Sequence, residues 1–172
     1  MKLLLFSLIA LSSMAASQAQ DAPKPAEPTP AAPAAPATPA APAGDVTKLM
    51  LGVLPAVMKF DKATLEVKAG SKVMLLFRNE KCPLQHNFLL VNPGKLNDMG
   101  ALADKMLTDP QAMAKHYTPE SPEVLAHSTK LIGLGQSDLI EFTVPTTPGD
   151  YPYLCTFPGH WRMMNGVLKV TP

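Results

Sequence analysis

YPYLCTFPGHWRMMNGVLKV, residues 151–170, decides how the rest of the chain is read. A strand-like run carrying Tyr151, Tyr153 and Cys155 enters a short loop, and a second run, Val167 to Val170, leaves it. Between them Cys155, His160 and Met164 stand at the spacing C-x4-H-x3-M. A thiol, an imidazole and a thioether thus leave and return within one tight turn. Pro158 fixes φ there, and Gly159 permits a bend that a side chain would forbid. Soft sulfur and imidazole donors suit copper, and a plane of two imidazoles and one thiolate with a weak axial thioether is the blue-copper arrangement. The second imidazole has to come from elsewhere in the chain, and His86 in QHNFLLV, residues 85–91, can supply it. Met163 and Met164 compete for the axial place. Cys155 is open to two other readings, a buried structural thiol or half of a disulfide with Cys82.

The loop CTFPGHWRMMNG (155–166) resembles the copper loop of azurins, and the pair His86-Asn87 resembles their first-histidine strand. FDKATLEVKAGSKVMLLFRN (60–79), QHNFLLVNPG (85–94) and SPEVLAHSTKLIGLGQSDLIEFTVPTTPGDYPYLCTFPGHW (121–161) extend the likeness to the plastocyanin/azurin family from about Leu49 to the C-terminus. This resemblance implies an all-β, Greek-key cupredoxin β-sandwich with a helical insertion. It implies one type 1 copper held by His86, Cys155 and His160, with Met164 rather than Met163 as the axial ligand. It also implies that Asn87 and Thr156 tie the two ligand segments together. Phe157, Trp161 and Met163 become an apolar patch around His160, where redox partners such as c-type cytochromes or oxidases dock. Gln85 departs from the pattern: azurins have glycine there, with a carbonyl that approaches copper, so a fifth contact is put in question.

Composition agrees with one exported domain. The 15 Lys and Arg balance 14 Asp and Glu, so no electrostatic footprint for nucleic acid exists. Two cysteines exclude a dense disulfide framework. Residues 1–19 read as a signal peptide: Lys2 gives a positive start, Leu3 to Leu11 an apolar run, and Ser17-Gln18-Ala19 a small-residue cleavage site. The apolar run is too short for a bilayer, so the mature protein is expected to begin near Gln20, without a membrane span, in the periplasm or outside the cell. Oxidising surroundings follow from export. Residues 20–45 are rich in Pro and Ala, which forbids helix and favours extended polyproline II. They read equally as a spacer or as an inert tail. Residues 46–172 are the copper-binding domain, roughly 125 residues and of ordinary size for a single core, expected as a monomer.

Within it, Val46 to Lys59 reads as one kinked strand or two short ones, broken at Gly52 and Pro55. Alternation marks a strand at Thr64–Val67, a mostly apolar run marks another at Val73–Arg78, and further strands are read at Gln85–Val91 and Leu139–Val144. In Gln85–Val91, His86, Phe88 and Leu90 share one face, and Asn87 and Leu89 the other. Helical spacing appears at Leu96, Met99, Leu102 and Met106, and Asp109-Pro110 looks like the cap of a second short helix reaching Lys115. A helical flap is therefore expected over about Pro93–Lys130, with His116 and His127 solvated on it. Seven or eight short strands separated by turns make a sandwich. Cys82 has no partner in the family pattern and reads as a free surface or half-buried thiol, ahead of a disulfide or a second ligand.

A closed Cys/His/His/Met set points to a one-electron carrier rather than an enzyme, because turnover needs an exchangeable position at the metal. Multi-copper oxidases need further histidine sites, and this chain has 4 His in all. A copper-binding or buffering protein is the alternative; a lone Cys among imidazoles, instead of a Met- or Cys-rich cluster, argues against it.

Overall fold

A computed structural model describes residues 46–172 apart from Glu123 and the side chain of Leu125. The expected leader (1–19) and the Pro/Ala-rich segment (20–45) lie outside the described residues. Eight strands form two sheets among the described residues: β1 Thr47–Gly52, β2 Thr64–Lys68, β3 Lys72–Asn79, β4 Leu89–Val91, β5 Leu125–Ser128, β6 Gln136–Thr143, β7 Gly149–Leu154 and β8 Asn165–Thr171. One helix, α1 Leu96–Lys105, continues into a 3-10 turn, Met106–Thr108. The smaller sheet runs β1-β3-β6 and the larger β2-β8-β7-β4-β5. β1 lies parallel to β3, and β2 parallel to β8. Strands far apart in sequence are thus neighbours, as a Greek-key sandwich requires.

Alternation explains the layering. Val73, Leu75 and Phe77 of β3 point inward, while Met74 and Leu76 are only half-buried. They meet Leu65 and Val67 of β2, Tyr151 and Tyr153 of β7, and Leu168 and Val170 of β8 in one core between the sheets. Each side chain of this kind contributes roughly 1.5–3 kcal/mol when fully buried. Phe60 sits at its centre, edge-on to Phe77 and Tyr153. A second, smaller core lies on the outer side of the larger sheet, where Leu89, Val91 and Leu154 pack against Met99 of α1 and Val124.

Four expectations change. The strand read over Gln85–Val91 is ordered as β4 only from Leu89; His86 instead forms a single bridge with Ile132. The facing pattern nevertheless holds, since Phe88 and Leu90 enter the inter-sheet core and Leu89 and Val91 the helix-side core. Second, Asp109-Pro110 opens no helix. Asp109 Oδ1 does accept the Gln111 amide (2.8 Å), but the turns that follow end at His116 and Tyr117, both with φ of 53°. Two successive left-handed residues cannot continue a right-handed helix. Third, the flap is helical only at its start and contains β5, so His127 lies on a strand. There it is half-buried and stacked on Phe142 at 4.5 Å, where burial lowers its pKa. The segment after Gly52 is turns rather than a second strand, closed by a bridge between Val53 and Phe60.

Candidate metal centre

Cys155 stands one residue past β7, and Asn165 opens β8. The loop between them is closed by its own backbone. The Cys155 amide donates to the Met164 carbonyl (3.0 Å), the Met164 amide to the His160 carbonyl (2.9 Å), and the His160 amide to the Phe157 carbonyl (3.0 Å). Gly159 takes φ of 80°, which a side chain would strain. His86 is fixed separately, its amide donating to Ile132 (2.9 Å) and its carbonyl accepting from Ile132 (2.8 Å). Pairing of Leu89 with Leu154 across β4 and β7 then brings the two ligand segments side by side.

Cys155 Sγ lies 3.8 Å from His86 Nδ1 and 3.6 Å from His160 Nδ1. One sulfur and two imidazole nitrogens fall within 4.8 Å of one another, and all three residues are buried. Burial lowers the His86 pKa to about 4, helped by the charge of His160, and burial lowers that of His160 too. Both shifts favour the neutral ring, the form in which imidazole binds a metal. Burial also pushes the Cys155 thiol up to about 12, partly offset by the Asn87 and Phe157 amides that donate to the sulfur. A coordinated cation reverses that balance, because a coordinating thiol is deprotonated outright. The donor set is soft, neutral and dry, and it fits copper.

Asn87 holds the two segments together. Its Oδ1 accepts the Thr156 amide (2.8 Å), and its Nδ2 donates to Thr156 Oγ1 (2.9 Å) and to the His116 carbonyl (2.8 Å). Thr156 Oγ1 donates in turn to the Tyr117 carbonyl. The left-handed pair His116-Tyr117 thus offers both its carbonyls to the clasp. A second clamp joins the ligand loop to α1. Trp161 Nε1 donates to Asp104 Oδ1 (3.0 Å), and Arg162 pairs with Asp104 Oδ2 (2.9 Å) while lying 4.3 Å over the Trp161 ring. Those donors hold the Asp104 carboxyl below its usual range. The indole packs so closely on Gly100 that a Cβ there would stand 2.6 Å from ring carbons.

His86, Cys155 and His160 are thus brought to one point from two segments. Met164 is fully buried at the end of the loop, whereas Met163 is 56% exposed. Gln85 is half-buried and keeps a negative φ, so its side chain imposes no left-handed strain. His116 is exposed, as expected. Cys82 is not at the surface: it is a free thiol, 5% exposed, with Sγ 3.3 Å from His86 Nε2. Cys155 is likewise free, which removes the disulfide reading. Sequence reasoning missed this Cys82 contact and the Asp104 clamp. The four-residue step from Cys82 to His86 was visible, but nothing in the spacing showed that the intervening turn folds back.

The chain matches the family of copper binding proteins, plastocyanin/azurin family, over residues 47–171. It is 35% identical to auracyanin-B of Chloroflexus aurantiacus over 69% of its own length and 49% of that protein's, so it spans about half of that relative. It is 35% identical to the azurin of Bordetella pertussis over 66% of its own length and 77% of the azurin. The solved structure of auracyanin A, described as a "blue" copper protein of the same Chloroflexus species, superposes with a TM-score of 0.67 at 30% identity, covering 74% of this chain and 100% of that one.

Proposed function

Because the chain belongs to the plastocyanin/azurin family of copper-binding proteins, we propose that it is an exported one-electron carrier holding a single type 1 copper through His86, Cys155 and His160, with Met164 as weak axial ligand. The observation that carries this reading is the meeting of the three donors at one buried point, locked by the Asn87–Thr156 clasp. Bound copper supplies a Cu(I)/Cu(II) couple. The chain's own part is to keep the donors still: Asn87, the Ile132 bridge and the loop's backbone bonds hold the ligand segments in either state. Such fixed donors keep reorganisation small and exclude water, and amides aimed at the Cys155 sulfur moderate its donor strength. The burial of Met164 beside an exposed Met163 supports the former as axial ligand.

Electrons enter and leave at the loop. His160 is 4% exposed and is flanked by the half-buried Phe157 and Pro158 and the exposed Gly159 and Met163. A small apolar rim of this kind suits brief docking by a redox protein such as a c-type cytochrome or an oxidase. Trp161 contributes less to that rim than to the α1 clamp. Residues 1–19 act as a cleaved signal peptide that delivers the domain to the periplasm or beyond, and residues 20–45 link it onward.

The test is a spectrum and a voltammogram of the copper-loaded protein and three variants. Wild type develops an intense blue band that a mild reductant bleaches reversibly. Cys155→Ala loses the band, since no other residue supplies the thiolate. Met164→Leu keeps it and raises the potential, and Met163→Leu changes neither. A colourless copper complex in the wild type would overturn the carrier in favour of a copper buffer. A shift with Met163→Leu alone would reassign the axial ligand.

A further inference from the structure

Cys82 has no role in the ligand set, yet it is held against it from two sides. Asn79, fully buried at the end of β3, clips the turn that carries it. Its Oδ1 accepts the Cys82 amide (3.0 Å), its Nδ2 donates to the Leu84 carbonyl (2.8 Å), and its own carbonyl accepts the Gly135 amide (2.7 Å). The clip turns the Cys82 side chain into the inter-sheet core. There Sγ meets the far nitrogen of the His86 ring, Nε2, at 3.3 Å. The near nitrogen, Nδ1, faces Cys155 Sγ. A neutral imidazole carries one N–H. If Nδ1 offers its lone pair at the shared point, the proton is on Nε2, and the only role left to the Cys82 sulfur is acceptor.

We propose that Cys82 is a positioning residue for His86: its sulfur accepts the Nε2–H and fixes the ring with Nδ1 aimed at the Cys155 sulfur. The inference rests on the copper reading of this site. The backbone of His86 is pinned to Ile132, which leaves the ring's rotation about its own bonds to be set, and Cys82 sets it. Metal-bound histidines ordinarily give their second N–H to an oxygen, which strengthens the ring as a donor. Sulfur is a weaker acceptor, so here the ring is oriented firmly while its donor strength is raised little.

Two variants separate this role from packing. Cys82→Val keeps a side chain of similar bulk and removes the acceptor; Cys82→Ser keeps an acceptor and gives up bulk. Copper-free melting shows that each folds, and both retain the blue band because Cys155 is intact. Cu(II) affinity, measured by chelator competition, falls about 10-fold or more in Cys82→Val, and its reduction potential rises. Cys82→Ser lies nearer wild type in both. In the Cu(I) form, which is diamagnetic, the His86 Nε2–H resonance is protected from exchange in wild type and Cys82→Ser and is lost in Cys82→Val. If Cys82→Val matches wild type while Cys82→Ser is the perturbed variant, the cysteine is packing and the proposal falls alone. If wild type forms no blue complex, the copper reading falls and takes this inference with it.

Discussion

Replacing Asn87 by alanine should cost this fold about 3–4 kcal/mol. The side chain is fully buried and makes three hydrogen bonds, to the Thr156 amide, to Thr156 Oγ1 and to the His116 carbonyl. Each such bond contributes a net of about 0.5–1.5 kcal/mol, and a buried donor left without a partner costs about 1–3 kcal/mol. Asn87→Ala strands the amide of the fully buried Thr156 in that way. It also frees the His116-Tyr117 turn, whose left-handed conformation is costly unless its carbonyls are engaged. Native domains carry about 5–15 kcal/mol in total, so the loss is severe without being complete. For a domain of this size it corresponds to a fall of about 10–15 °C in midpoint. The assay is thermal and urea unfolding of the copper-free protein, run as a cycle with Thr156→Val. Residues in one network couple by about 0.5–3 kcal/mol, so the double variant should lose less than the two singles added. A loss under about 1 kcal/mol, or strict additivity, would show that packing rather than the clasp joins the ligand segments.

Gly100→Ala should lower the midpoint although alanine favours helix by about 1 kcal/mol, because its Cβ would meet the Trp161 ring at 2.6 Å and overpacking costs about 1–3 kcal/mol; a stabilised variant would mean that the indole moves aside freely. The copper-free protein should weaken as pH falls from 6.5 towards 4: His86 has its pKa lowered from 6.5 to about 4, so the unfolded chain takes up the proton first and stability rises with pH across that window. Denaturant midpoints at both ends check the sign, and greater stability at pH 4.5 contradicts it. Copper should not be needed for folding, since the sandwich has a core of its own; cooperative melting of the copper-free form, with a higher midpoint once Cu(II) is bound, is the expected pair of traces, and a copper-free chain without a transition would refute it.

What the sequence showed and hid follows from the range of the interactions. The apolar, strand-forming runs within Lys72–Asn79 and Asn165–Thr171 are local signals, so the strands could be read directly, whereas the inward face of the apolar run Val73–Phe77 is set by the sheets it packs between. The C-x4-H-x3-M loop is also local, and its residues do close on one another through backbone bonds. Asp109-Pro110 was misread because a helix start has a local signature, whereas its failure here comes from the left-handed residues His116 and Tyr117, held by Asn87 and Thr156 from other segments. Cys82 was read as a surface or half-buried thiol rather than a fully buried one for the same reason: in NEKCPL it has polar neighbours, and only the clip from Asn79 shows that the turn folds inward. His127 looked solvated until β5 was seen to stack it on Phe142.

The distance between His86 and Cys155 is finally a matter of strand register. Neither residue lies within a strand, but each sits just outside one, and Leu89 of β4 pairs with Leu154 of β7. A slip of one residue between these strands would reverse every side chain of one of them. His86 and Phe88 would then turn to the helix side, and Leu89 to the inter-sheet core. What opposes the slip is the contrast between the two faces. Phe88 and Leu90 fit the core with Tyr153, while Leu89 and Val91 fit the smaller core with Met99. The run Phe88-Leu89-Leu90-Val91 is apolar throughout, so hydrophobicity alone does not choose between faces. Ring geometry does: Phe88 lies tilted against Tyr153 at 5.4 Å, and the Tyr153 hydroxyl is committed to the Lys62 carbonyl at 2.6 Å. The aromatic core thereby sets the register, and the register sets which way His86 faces. Substitutions at Tyr153, which offers no donor to the site itself, should therefore disturb copper binding as well as stability.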